Sequence, residues 1–454
     1  MSELTMENID ERTQQARGAV TYLVVRNEGL TDLPDGIEQL THLKTLKLDD
    51  NQFTTLPESI DRLTTLTYLS AFNNQLTTLP DIRHLTRLEN LALNDNRLTT
   101  LPDLGYLVRL KELILGSNQL TALSGLERLT SLETLHIDSN LLTELPGLSQ
   151  LTQLRELSAF SNQLNVLPDI RSLTRLENLA LHDNRLTTLP DLGYLIRLKQ
   201  LILGSNQLTA LSGLERLTSL EKLHIDSNLL TELPGLSQLT RLETLNLSDN
   251  QLTTLPELNT LVNLGELLLS SNRLTTLPEF GDLIYLEELY LDNNQLVTLP
   301  EFGDLIYLQK LYLDNNQLVT LPESIGRLTK LKRLSFGNNR LTRLPELNTL
   351  TLLESLTASY NQLTTLPEMS RLRSLRTLHM NHNQFTVIPE TIQYLNRLTK
   401  WSLTDNQIET LPVWVGNLTQ LSGIHLSNNQ LSTHTGKVSI WLSVKDHVVK
   451  RFKY

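Results

Sequence analysis

Apolar and polar positions follow one fixed frame along this chain, LxxLxLxxNxL, which recurs every 22 or 23 residues from residue 20 to residue 431. It reads Leu43-Leu46-Leu48-Asn51-Phe53, then Leu66-Leu69-Ala71-Asn74-Leu76, and closes on Leu421-Ile424-Leu426-Asn429-Leu431. Nineteen units fit the frame. Alternation within LxL predicts a short strand, with its Leu side chains inward and the residues beside them outward. A fixed period of this length marks stacked supersecondary units. The 454 residues therefore do not imply several domains, because a solenoid grows by adding turns.

Two polar columns fix the register. The Asn column is filled in 18 of the 19 units, by Asn51, Asn74, Asn96, Asn118, Asn140, Asn162, Asn184, Asn206, Asn228, Asn250, Asn272, Asn294, Asn316, Asn339, Asn361, Asn383, Asn406 and Asn429. Only the first unit departs, with Glu28. An amide side chain both donates and accepts, so a stacked Asn ladder is expected to satisfy loop backbone that no sheet reaches. All 16 prolines, Pro34 through Pro412, sit six residues after that column. Proline has a fixed φ and no N–H, which suits the turn leaving the strand. The extra residue of the 23-residue units falls on the return stretch, as in LPESIDRL against LPDLGYL.

This pattern resembles the leucine-rich-repeat family over about residues 20–431. The 23-residue LPxxIxxLxxL units resemble those of Ras-pathway scaffolds. The 22-residue units resemble internalins and bacterial effectors. The resemblance implies an α/β-type solenoid: a right-handed arc with a parallel β-sheet on its concave face. With returns this short, the convex side is expected to be extended or 3-10.

Both ends leave the frame. Residues 1–19 are expected to form an N-terminal cap, a short helix with Ile9 inward. Residues 20–431 form the repeat domain. Residues 432–454 carry Ile440, Val444, Val448 and Phe452 at helical spacing and are expected to form a helical C-terminal cap. Lys445, Lys450, Arg451 and Lys453 then form its solvated side, or a contact for a membrane or an acidic partner. Internal duplication is also visible. Residues 66–153 and 154–241 match closely, and LPEFGDLIYLxxLYLDNNQLVTLP recurs as a one-unit copy at 299–322.

Composition narrows the chemistry. The absence of cysteine excludes disulfides, zinc thiolates and a cysteine nucleophile. The net charge of −11 argues against nucleic acid. The N-terminus MSELTMENIDERTQQ does not read as a secretory signal, and no apolar run approaches the ~20 residues a membrane span needs. No GxxxxGK[ST] loop or catalytic constellation is present. The expectation is a non-enzymatic, cofactor-free monomer that binds protein and neither nucleic acid nor membrane. Its expected place is the cytoplasm, or outside the cell by a route without a classical signal.

The outward positions map the candidate face. Leu268, Tyr290 and Tyr312 form an apolar row in consecutive units. Glu266, Glu288 and Lys310 flank it on one side, and Asp292 and Asp314 on the other. An apolar row rimmed by charge is the usual anatomy of an interface hot spot. The rings could equally serve only to support the sheet. Ile114 and Ile202 are isolated apolar residues on the same face. Phe72 and Phe160 follow the small inward residues Ala71 and Ala159, so their rings are expected to fold back into the core. Tyr360, two residues after Ala358, is open to the same reading.

His136, His224 and His379 also face outward as candidate contacts. His136 and Asp138, like His224 and Asp226, supply two ligands each, too few for a structural zinc site. His379, His382, His425 and Asp405 are no more than polar decoration, and no metal is expected. The concave columns hold 14 Asp/Glu, among them Asp49, Asp50, Asp138, Glu156 and Asp226, against six Lys/Arg. That balance favours a partner with a basic surface. The alternatives are a surface adhesin of the internalin kind, or a docking regulator of a GTPase or phosphatase.

Overall fold

The computed structural model describes residues 4–13 and 19–431. A helix, α1, spans Met6–Thr13. Thr5 caps it: its Oγ1 accepts from the backbone N–H of Asn8 at 3.2 Å, and the Asn8 side chain accepts in return from the Thr5 N–H. Leu4 and Ile9 are buried. The C-terminal segment 432–454, with its expected helix, lies outside the described residues.

The chain divides into two compact units, residues 1–228 and 229–454. The first carries β1 (Tyr22–Val24), β2 (Thr45–Lys47), β3 (Tyr68–Ser70), β4 (Asn90–Ala92), β5 (Glu112–Ile114), β6 (Thr134–His136), β7 (Glu156–Ser158), β8 (Asn178–Ala180), β9 (Gln200–Ile202) and β10 (Lys222–His224). The second carries β11 (Thr244–Asn246), β12 (Glu266–Leu268), β13 (Glu288–Tyr290), β14 (Lys310–Tyr312), β15 (Arg333–Ser335), β16 (Ser355–Thr357), β17 (Thr377–His379), β18 (Lys400–Ser402) and β19 (Gly423–His425). Within each unit every strand pairs in parallel with the next, in the register the repeat frame dictates. Leu46 stands opposite Leu69 in the first unit, and Leu289 opposite Leu311 in the second. Each unit is thus a leucine-lined stack of parallel strands, ten in the first and nine in the second among the described residues, with 3-10 or extended backbone between successive strands.

One repeat shows why the frame folds this way. Leu286, Leu289, Leu291 and Leu296 are all fully buried. Each contributes about 1.5–3 kcal/mol by leaving water. The Asn side chain then closes the turn. Asn294 Oδ1 accepts from the backbone N–H of Leu274 in the preceding repeat at 3.0 Å. Its Nδ2 donates to the carbonyls of Leu269, Leu291 and Asp292 at 2.9, 3.1 and 3.3 Å. One buried amide thus links two turns of the solenoid.

The residue before that column, which holds Glu28 in the first repeat and Asn in the others, carries a second backbone signature. In all nineteen repeats it has positive φ, from Asn27 at 58° to Asn428 at 55°. Seventeen of these positions hold Asn, Asp or Ser, and the other two are Tyr360 and His382. Asn and Asp are the non-glycine residues that tolerate the left-handed region best, by bonding locally to backbone.

Return stretches differ with repeat length. Pro57, Pro322, Pro389 and Pro412 each precede a five-residue 3-10 helix, at Glu58–Arg62, Glu323–Arg327, Glu390–Tyr394 and Val413–Asn417. All four lie in 23-residue repeats. The shorter repeats have three-residue 3-10 turns, such as Leu104–Tyr106, or extended backbone. Proline's fixed φ positions the turn without losing a needed donor.

Candidate partner-binding face

Each strand buries its central Leu and presents the residues on either side. In β13 Leu289 is fully buried while Glu288 and Tyr290 are half-buried on the outer surface of the sheet. Parallel register then aligns Leu268, Tyr290 and Tyr312 as direct neighbours on β12, β13 and β14. The two tyrosine rings stack, with centroids 4.8 Å apart and planes 18° apart. All three side chains are half-buried in the free chain. An apolar strip of this kind keeps area to bury when a partner arrives.

The charged rim is largely engaged within the chain. Glu288 accepts from the Tyr290 hydroxyl at 2.9 Å and from Lys310 Nζ at 2.7 Å. Partial burial alone would raise the Glu288 carboxyl, but Lys310 and the Tyr290 hydroxyl together hold it below the ordinary value. Burial, and then the bond to Glu288, pushes the Tyr290 phenol up. Asp292 accepts from Ser270 Oγ at 2.6 Å. Asp314 Oδ1 accepts from Ser335 Oγ and from the Gly337 N–H, both at 2.7 Å. A Cβ at residue 337 would lie 2.8 Å from that Asp314 oxygen, so glycine there permits the close approach. Glu266 stands opposite Glu288 at the start of the row and is exposed.

The row ends where Ser335 follows Tyr312. The small side chain leaves one flank of the Tyr312 ring open. An open cleft of about 320 Å³ lies there, lined by Tyr312, Arg333, Glu354, Ser355, Thr357 and Arg376 among others.

The other candidates are scattered. His136, on β6, lies 3.1 Å from Glu156 Oε1 but out of line for a hydrogen bond. His224, on β10, is held below the ordinary histidine value by burial and then by the charge of Lys222. His379, on β17, is lowered by burial, Lys400 and His425. With His425 it lines a smaller cleft of about 140 Å³ that also includes Lys400. His382 contacts Asp405 at 3.2 Å and stacks on Tyr360 at 4.1 Å. Among the described residues no three His, Asp or Glu side chains converge as metal ligands.

Two aromatic expectations are corrected, and the open question over Tyr360 is answered the same way. Phe160 does not fold into the core. It lies half-exposed on the sheet surface, stacked on His182 with centroids 4.4 Å apart. Phe72 is likewise half-exposed, with the Arg26 guanidinium 5.5 Å from its centroid. Tyr360 is 54% exposed. Ala71 and Ala159 are themselves fully buried. Phe160 and Tyr360 each stack on a histidine of the next repeat, and Phe72 faces Arg26 from two repeats earlier.

The frame also fails to flag Tyr285 and Tyr307. These exposed rings stack at 6.1 Å just before β13 and β14. Like Tyr290 and Tyr312, they arise from the duplicated LIYLxxLYLDNN segment, and that duplication is the signal that could have found them.

Family models confirm what the geometry shows. The model for a leucine-rich repeat region matches residues 19–118 and 269–385. Further leucine-rich-repeat models match 108–150, 196–238, 241–261 and 373–431. A leucine-rich-repeat protein of Leptospira interrogans is 31% identical, over 96% of this chain and 97% of its own, with a TM-score of 0.61. The chain belongs to the leucine-rich-repeat family.

Other leucine-rich-repeat structures are similar too. YopM from Yersinia enterocolitica is 26% identical over 94% of this chain and 90% of its own, with a TM-score of 0.65. The Arabidopsis receptor kinase HAESA, solved with the peptide hormone IDA and a co-receptor, is 25% identical over 94% of this chain and 76% of its own, with a TM-score of 0.75. No curated protein matches the chain. Among the described residues no helix is long and apolar enough to cross a membrane.

Proposed function

We propose that this leucine-rich-repeat chain is a non-catalytic recognition module that holds a protein or peptide partner on the sheet face around Leu268, Tyr290 and Tyr312. The observation that carries this reading is the stacked tyrosine row, in register on adjacent strands and half-buried before any partner arrives. Aromatic anchors of this kind dominate binding energy at interfaces. The similarity to HAESA, which was solved with a bound peptide hormone, supports the same use of the fold. Glu266, Glu288, Asp292 and Asp314 surround the row and favour basic groups on the part of the partner lying over β12–β14. His136, His224 and His379 are secondary polar contacts in this reading.

The test is to cross-link and capture partners with the intact chain, with Tyr290→Ala/Tyr312→Ala, and with Val166→Ala, an exposed residue outside the strands, as a control. Loss of a specific partner in the double variant alone is the expected result. Capture unchanged by the double variant removes the tyrosine row from the function.

A further inference from the structure

The sheet face of the second unit changes sign along its length. Glu266 and Glu288 lie on β12 and β13, with Lys310 on β14, and Asp292 and Asp314 follow β13 and β14. From β15 to β19 the strands contain no Asp or Glu; they carry Arg333 and Lys400 instead, and the one carboxylate that follows them on this face is Asp405, after β18. The acidic balance of the face as a whole conceals this reversal. The 320 Å³ cleft sits at the change of sign.

Three features of the cleft point to an anion. Arg333 and Arg376 are exposed, and neither has a carboxylate within ion-pair distance among the described residues. The hydroxyls of Ser355, Thr357 and Thr377 line the same space and make no protein hydrogen bond among the described residues. Arg333 lines the cleft together with Tyr312, so the cationic site is continuous with the tyrosine row. Arg333 stands on β15 and Arg376 just before β17; backbones two strands apart are ~10 Å from one another, a span that two long arginine side chains can close upon a single small group.

We propose that this cleft is a carboxylate subsite, in which Arg333 and Arg376 take an Asp or Glu side chain of a peptide segment whose neighbouring apolar side chain lies against Tyr312. The inference rests on the reading of the tyrosine row given above and names the chemistry of its partner. Glu354 selects carboxylate over phosphate. Two arginines and one glutamate leave a net charge of +1 in the cleft, which matches one carboxylate, whereas a phosphate dianion would meet the Glu354 charge uncompensated. The arginine fork fits a planar carboxylate with two parallel hydrogen bonds. A partner segment would therefore carry basic groups over β12–β14, an apolar anchor on the tyrosines, and an acid over β15–β17.

The test selects binders from a displayed library of random twelve-residue peptides on the full chain. The consensus peptide is then synthesised with its acid, with the matching amide and with phosphoserine, and each is titrated by calorimetry. The expected consensus pairs an aromatic or branched apolar residue with Asp or Glu. Replacing the acid by its amide should weaken binding about tenfold or more. Arg333→Gln/Arg376→Gln should abolish that difference and still bind the amide peptide through the tyrosines.

Peptides that need Tyr290 and Tyr312 but show no acid preference overturn the subsite and leave the recognition face standing. So does an acid preference that survives in the arginine variant. Tighter binding of the phosphoserine peptide overturns the choice of carboxylate. Failure to recover any peptide sensitive to Tyr290→Ala/Tyr312→Ala overturns both readings together.

Discussion

The ring of Tyr312 lies nearly parallel to that of Tyr290, 4.8 Å from it, while the Tyr290 hydroxyl donates to Glu288. Burial of the phenol is the larger cause of its raised pKa, and the Glu288 carboxylate adds to it. Tyr290 is therefore expected to stay neutral well above the ordinary tyrosine value of ~10. The sign for stability follows. The contribution is fully present below the unfolded value and is lost as pH climbs through the higher folded value. In a spectrophotometric titration, the difference between the chain and Tyr290→Phe should show a phenol ionising late. Glu288→Gln should bring that ionisation down. A difference curve centred on ~10 would contradict the geometry.

A single Asn of the ladder should be worth much more than an ordinary polar residue. Asn294→Ala removes one acceptor and one amide donor group that together serve four backbone groups. Leaving buried polar groups unmade costs about 1–3 kcal/mol for each that finds no water. The expected loss is at least about 2 kcal/mol in denaturant unfolding. Asn294→Asp should be no better than Ala. The carboxylate keeps the acceptor for Leu274 but turns a charged oxygen toward three carbonyls. Unfolding midpoints within error of the parent for both variants would remove the ladder from the account of stability.

Most of the architecture is legible in the repeat frame alone. Strand positions, inward leucines and the Asn column all follow from a period and an alternation, which are properties of sequence. What is not legible lies in side-chain choice. Register places Glu288 beside Lys310, but it does not say that Glu288 will also bind Tyr290. The small Ala159 suggests that Phe160 folds inward. The ring instead stacks on His182 of the next repeat, a partner that the residues around Phe160 do not announce. The reversal of charge between β14 and β15 is present in the sequence, but a charge balance taken over the whole face averages it away. The left-handed position is also visible, as a column of Asn, Asp and Ser one residue before the ladder Asn.

That column yields a test free of packing effects. Ser205 has φ 53° and is exposed. Ser205→Val places a β-branched residue in a region where L side chains clash with backbone, at a cost of about 1–2 kcal/mol. Ser205→Asn should be neutral or slightly stabilising. The pair separates backbone strain from lost contacts, since an exposed serine touches little. Equal stability of the valine and asparagine variants by chemical denaturation would show that the turn relaxes.

Asp314 offers the clearest dependence on pH. Burial raises its carboxyl above the ordinary value, and the charge of Asp292 adds to this. The bonds from Ser335 and Gly337 oppose the rise without cancelling it. A carboxyl raised in the folded state contributes stability below its unfolded value of ~4 and loses it as pH climbs through the folded value. Asp314→Asn removes that decline. The substitution should keep both hydrogen bonds, because the Ser335 hydroxyl and the Gly337 N–H converge on the one oxygen, Oδ1, that an amide retains. The variant should therefore match or exceed the parent near pH 7, and its advantage should shrink as pH falls toward 4. Melting temperatures of both proteins measured across pH 4 to 8 decide the matter. A variant that melts lower than the parent at pH 7 would mean that the Asp314 charge stabilises this face despite its burial.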